Sequence, residues 1–246
     1  MMVYNDSTVE RKKIFYPASE RGFANHGWLK SFHSFSFGSY HNPEKTNFGL
    51  LRVLNDDTVE AGYGFGTHPH QNFEIVSIPL EGALSHKDST GRAEVIREGE
   101  VQIMSAGTGI SHSEYNHSTS DLVKFLQIWV FPKVQNIEPR YEQKFFDKAG
   151  RVNKFQTVVS PKQESGGVWI NQDATFSLGD FETGRQIEYA LQHSGNGIYL
   201  FVIEGEIEFD SQVIGRRDAI GVSGQNTFSF KALKDSKLLL IEVPMN

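Results

Sequence analysis

The length and chemistry of the apolar runs limit this chain more than any other feature. FEIVSIPL (73–80), VQIM (101–104), LVKFLQIWVF (122–131), IYLFVIEGEIEF (198–209), TFSF (227–230) and KLLLIEV (237–243) are four to twelve residues long, and clusters of Gly, Asn, Asp, Ser or Pro separate them. They are β-branched and aromatic, which suits a pleated, partly buried strand. No segment sustains the 3.6-residue apolar period of an amphipathic helix, so helices should be few and short. The expected class is all-β and mostly antiparallel, a sandwich or barrel.

PKVQNIEPRYEQKFFDKAG (132–150) is polar, holds two prolines and breaks the strand rhythm. It places a linker over 134–150, between an N-terminal domain (1–133) and a C-terminal domain (151–246). An internal repeat agrees with that cut. IVSIPLEGALSH (75–86) and IYLFVIEGEIEF (198–209) each run from an apolar strand through Glu-Gly into a second alternating strand, 123 residues apart. Carried further, the repeat sets Leu191 against His68, His193 against His70 and Gly197 against Glu74, and downstream, with a small gap, Phe228 against His112 and Phe230 against Glu114. Eight of the nine histidines lie at or before His117, so a metal, if bound, belongs to the first half.

The chain has no cysteine, which removes disulfides, thiolate metal sites and cysteine nucleophiles together. Any metal must rest on nitrogen and oxygen donors. A net charge of -6 without a block of like charges argues against nucleic acid or an anionic membrane as partner. The basic clusters Arg11-Lys12-Lys13 and Arg216-Arg217 are too short for a binding tail. With no signal-peptide core and no apolar run of membrane-spanning length, the default location is the cytoplasm. A monomer is favoured.

The residues suited to chemistry begin in FGTHPHQNFE (65–74). Residues two apart on a strand point the same way, so His68 and His70 can close on one ion, and a regular strand would aim Asn72 and Glu74 at the same interior. Pro69 cannot donate to a ladder and suggests an edge, a strand start or a bulge. Ser111-His112-Ser113-Glu114 is a second such element, entered through the reversing turn SAGTG (105–109). Three imidazoles and a carboxylate suit Fe(II), Mn, Ni, Cu(II) or Zn. Trp28, Phe32, Phe35 and Phe37 are expected mainly in core packing, and His33 and His41 at the surface.

These spacings resemble the cupin double motif: Gly62, His68-x-His70, Glu74, then Gly99, Ser105, Gly107 and His112. Ser105 stands where the general pattern has proline, and four residues rather than two separate Gly107 from His112. Both departures resemble the pirin family and its bacterial quercetinase-like members, in which THPHxxFE precedes an HSE block and the N-terminus holds a segment like HGWLKSFHSFSFG (26–38). The likeness is strong over about residues 20–135. It implies two tandem cupin barrels, the second without a metal site, and one divalent transition metal, Fe(II) foremost, bound by His68, His70, His112 and Glu114.

It further implies a dioxygenase that opens the ring of a quercetin-type flavonol with O2 and releases CO. Glu114, or Glu74 if it reaches the cavity, would take the substrate proton. Otherwise Glu74 would orient a histidine. The partners are then a small aromatic substrate and O2. A different class of function, a regulatory protein that acts through a protein partner, is open to the same family. A sugar-phosphate isomerase would need basic phosphate ligands beside the metal, and none is placed there.

Overall fold

The computed structural model describes residues 11–246. Its first strands are β1 (Lys12–Tyr16), β2 (Gly22–Asn25), β3 (Leu29–His33), β4 (Leu51–Val59), β5 (Gly64–His70), β6 (Glu74–Glu81), β7 (Ala83–Asp88), β8 (Ala93–Arg97), β9 (Glu100–Ser105), β10 (Ile110–Asn116), β11 (Val123–Val130) and β12 (Arg140–Phe145). The remainder are β13 (Phe155–Ser160), β14 (Val168–Trp169), β15 (Thr175–Phe181), β16 (Gln186–Ala190), β17 (Asn196–Glu204), β18 (Glu206–Phe209), β19 (Gln212–Gly215), β20 (Ala219–Ser223), β21 (Thr227–Ala232) and β22 (Ser236–Pro244). Helix among the described residues is confined to three 3₁₀ turns, and none is long and apolar enough to cross a membrane.

The strands form two barrels of one plan. The first pairs a seven-stranded sheet, β12-β9-β6-β11-β4-β3-β2, with a four-stranded sheet, β5-β10-β7-β8. The second pairs β1-β20-β17-β22-β15-β13-β14 with β16-β21-β18-β19. The all-β, two-barrel expectation holds, and so does the repeat. Gly82 and Gly205 end the two Glu-Gly pairs at φ +77° and +90°, a left-handed turn that glycine adopts without a Cβ penalty.

Alternation explains why the apolar runs are nearly continuous. On β11, Leu126, Ile128 and Val130 face the second barrel and join Val158, Phe176, Tyr199 and Leu239 in one cluster, while Phe125 and Trp129 belong to clusters inside the first barrel. Both faces of the large sheet are therefore buried, as in strands that read apolar throughout.

The same parity decides where Glu74 goes. β5 stops at His70, Asn72 turns the chain at φ +53°, and Glu74 opens β6 in the other sheet, so the regular continuation from His70 to Glu74 is broken. Glu74 follows Val76 and Ile78 toward the second barrel. It is 1% exposed, and its Oε2 accepts from Ser105 Oγ at 2.8 Å and from the Asn171 backbone N–H at 3.1 Å. It is a contact between barrels.

Two edge strands also differ from the expected layout. β12 lies inside the stretch 134–150 read as a linker, yet it pairs along β9 from Arg140 opposite Ser105 to Phe145 opposite Glu100. β1 pairs with β20, so residues 12–16 extend the second barrel's sheet although they were read into the first domain. RYEQKF is mostly polar because it borders solvent at a sheet edge, which hides its strand character.

Burial pushes the Glu74 carboxyl from 4.5 up to about 7, against the pull of its bonds from Asn171 and Ser105. A folded value above the unfolded one favours the native state at low pH, and that contribution is lost as pH rises toward about 7. Glu74→Gln stays neutral and keeps an acceptor for both donors. Urea midpoints of the two proteins should shift in the variant's favour between about pH 5 and pH 8, in the sense given by linkage. A difference that stays constant over that range would mean Glu74 does not titrate within it.

Candidate metal centre

β5 and β10 run antiparallel with His112 opposite His68 and Ile110 opposite His70, which brings imidazoles from two strands onto one inward face. One extra residue on β5 shifts the register between His112 and Glu114, a bulge at the edge of the small sheet. Gly66 lies in that bulge, and its carbonyl accepts from His68 Nδ1 at 2.7 Å. A carbonyl can only accept, so the proton is on Nδ1 and the His68 Nε2 lone pair is free.

The three rings form a near-equilateral triangle. Centroids lie 4.8 Å apart for His68 and His70, 4.5 Å for His68 and His112, and 4.8 Å for His70 and His112. The Nε2 atoms of His112 and His68 converge to 3.1 Å. Burial, reinforced by the neighbouring imidazoles, lowers His70 to about 4 and His112 to about 2. Both rings are thus neutral at physiological pH and present lone pairs. Converging neutral imidazoles, one with its tautomer already set, are a donor set for a divalent transition ion.

Glu114 is 2% exposed and lies opposite His86 on β7. Its Oε1 accepts from Ser77 Oγ at 3.0 Å and its Oε2 from Gln127 Nε2 at 2.7 Å. Burial raises its pKa, while the neighbouring His86 and these bonds oppose the rise. Donor atoms fall into two overlapping groups within 4.8 Å, His68-His70-His112 and His86-His112-Glu114, with His112 common to both. The four predicted residues therefore gather around His112.

His86 was not singled out from sequence. It is fully buried, its Nε2 bonds Asp88 Oδ2 at 2.9 Å, and its Nδ1 has no partner among the described residues. A signal existed: the repeat sets His86 against Phe209, the same replacement that sets Glu114 against Phe230.

A row of polar side chains lies beneath the cluster. Directly opposed residues share a face, and the register links His33, Asn55, Gln127, Ser77 and Gln102 across β3, β4, β11, β6 and β9. The equivalent row in the second barrel is Ser177, Leu240, Leu200 and Ile220. There Phe209, Phe228 and Phe230 fill one apolar cluster with Leu200 and Leu240. One plan thus yields a polar barrel and an apolar one.

His68 and His70 open onto a cavity of about 460 Å³ that Glu114, Gln127, Trp129, Phe37 and Phe65 also line, and neither His112 nor Glu74 is among its walls. Trp129 sets its ring edge-on to His70 at 4.8 Å and to Phe37 at 5.3 Å. Of the other aromatics weighed from sequence, Phe35 is core at 1% exposure, Phe32 is exposed, and Trp28 stacks on Tyr63 and meets Phe65 edge-on. His41 is exposed as expected; His33 is instead buried and lines the cavity, because β3 points it inward with Ser31.

Fold and site together define a two-barrel cupin with its polar cluster in the first barrel. The family described as Pirin matches residues 16–130, and the one described as Quercetinase C-terminal cupin domain matches 157–243. A relative from Escherichia coli (strain K12), named Quercetin 2,3-dioxygenase, is 41% identical over 231 residues, covering 92% of this chain and 96% of its own length. The crystal structure of YhhW from Escherichia coli superposes with TM-score 0.90 at 39% identity, covering 95% of this chain and 98% of that one. The structure of that bacterial pirin in complex with nickel(II) gives 0.89 at 39% identity, with 95% and 99% covered. The chain belongs to the pirin family.

Gln127→Leu keeps the volume near Glu114 but removes the donor to Oε2. Urea denaturation of metal-free protein should show a loss of about 1.5–3 kcal/mol, the range for a hydrogen bond to a charged group. Unchanged stability would mean that Glu114 does not depend on this bond.

Proposed function

We propose that this protein is a metal-dependent dioxygenase that opens the ring of a quercetin-type flavonol with O2 and releases CO. The observation that carries the reading is the imidazole triangle, with Glu114 beside it, at the wall of an aromatic-lined cavity large enough for a small planar substrate. Relatives named for the same activity, at similar length and about two-fifths identity, support it.

His68, His70, His112 and Glu114 would hold one divalent transition ion in the N-terminal barrel. Fe(II) is our choice; the nickel(II) complex of the bacterial pirin supports a divalent ion of this kind. Such an ion supplies Lewis acidity toward the flavonol's hydroxyl and carbonyl oxygens and a place for O2 chemistry. The chain's own groups do the rest. Glu114 accepts the flavonol hydroxyl proton, a role suited to a carboxyl whose pKa burial has raised. Ser77 and Gln127 hold that carboxylate in one orientation. Trp129 and Phe37 give the planar substrate an apolar wall and exclude water. Glu74, bonded between the barrels, takes no part.

Metal-loaded protein given quercetin in air should bleach the flavonol absorbance and evolve CO in equal molar amounts. His112→Ala removes the imidazole common to both donor groups, and kcat/KM should fall by about 100-fold or more, beyond the loss typical of outer-shell changes. Bleaching at wild-type rate in that variant would take the cluster out of the mechanism.

A further inference from the structure

Across the cavity from the imidazoles, β3 and β4 of the large sheet present a polar wall. Ser31 is directly opposite Asp57 and His33 directly opposite Asn55, so all four side chains share the inward face. All four line the cavity, and each is buried to 3–4% exposure. Among the described residues, His33 Nδ1, Asn55 Oδ1 and Asp57 Oδ1 have no hydrogen-bond partner. Orphaned polar atoms are costly when buried, and three on one cavity wall are uncommon unless a ligand satisfies them.

We propose that Ser31, His33, Asn55 and Asp57 form a hydroxyl-recognition subsite that selects a neutral, polyhydroxylated aromatic substrate by the hydroxyl groups at the end away from the imidazoles. The chemistry of the wall specifies the class. A serine hydroxyl, a neutral imidazole and a carboxamide can each donate and accept, as a phenolic hydroxyl does. Burial lowers His33, with Arg21 adding to the effect, and pushes the Asp57 carboxyl up to about 7 against a bond from Ser31, so neither need carry charge toward a ligand. Among the described residues no Lys or Arg lines the cavity, which leaves a sulfate, phosphate or carboxylate substituent without a counter-charge there. Phe37 and Trp129 flank the wall and suit the flat face of the ring. The subsite rests on the flavonol reading only for its choice of probes.

The test is equilibrium binding without oxygen, so that no turnover is needed. Nickel(II)-loaded protein is titrated with quercetin and with 3-hydroxyflavone, which keeps the hydroxyl-carbonyl pair but lacks the other hydroxyls. Wild type should bind quercetin at least about ten-fold more tightly, the value of roughly one net hydrogen bond. In Asn55→Leu and His33→Phe that ratio should fall toward one, and quercetin sulfated on its outer hydroxyls should bind wild type no better than 3-hydroxyflavone. The two variants alter different strands, and their metal content and melting curves report whether each is folded. A ratio the same in both variants as in wild type, a wild type that does not discriminate, or no binding of either flavonol would overturn the subsite. Discrimination without any bleaching in air would leave the subsite standing and remove the dioxygenation.

Discussion

Everything in this molecule depends on the back-to-back packing of its two seven-stranded sheets. Val76, Ile78, Leu126 and Ile128 of one barrel meet Val158, Phe176, Phe201 and Leu239 of the other in a single buried cluster. Apolar burial of about 25 cal/mol per Å² is the dominant stabilising contribution in folding. Here that burial is concentrated between the barrels and inside the second one. The inner face of the first barrel's large sheet carries only two small apolar clusters, around Phe125 and around Ile75. Between them it keeps His33, Asn55, Gln127, Ser77 and Gln102 in a row where the second barrel has Ser177, Leu240, Leu200 and Ile220.

That polar row explains how a carboxylate survives inside a barrel. Glu114 is bonded on both oxygens by side chains from the opposite sheet, Ser77 and Gln127. A buried charge without such partners would neutralise or destabilise the fold. The imidazoles are arranged on the same logic. The bulge on β5 sets the tautomer of His68 through the Gly66 carbonyl, and burial keeps His70 and His112 neutral. The geometry therefore does not have to be assembled around an ion, which is the preorganisation that metal and catalytic sites need.

Much of this was legible in the sequence because strand periodicity and repetition act over short distances. The two barrels, the Glu-Gly turns and the replacement of His112 and Glu114 by Phe228 and Phe230 follow from alternation and a repeat with one small gap. The rest depended on contacts distant in sequence or on single turns. Glu74 keeps the parity of His70 only while the strand stays regular, and the turn at Asn72 sends it into the other sheet. β1 and β12 are edge strands at residues that the sequence assigns to the first domain and to the linker. His33 reads as a surface residue until the pairing of β3 with β4 sets it beside Asn55 on the inward face. His86 was within reach, since the repeat that exposed the loss of Glu114 exposes its loss as well.

The central claim is that one barrel is built for a single transition metal on nitrogen and oxygen donors and its twin for none. Elemental analysis of protein purified without added metal, joined to X-ray absorption at the metal edge, tests it directly. The account predicts about one divalent transition ion per chain, with three or more imidazoles in its shell. It also predicts loss of that ion in His112→Ala and its retention when His193, the one histidine of the second half, is replaced. Two ions per chain, no ion, or an ion that persists without His112 would contradict it.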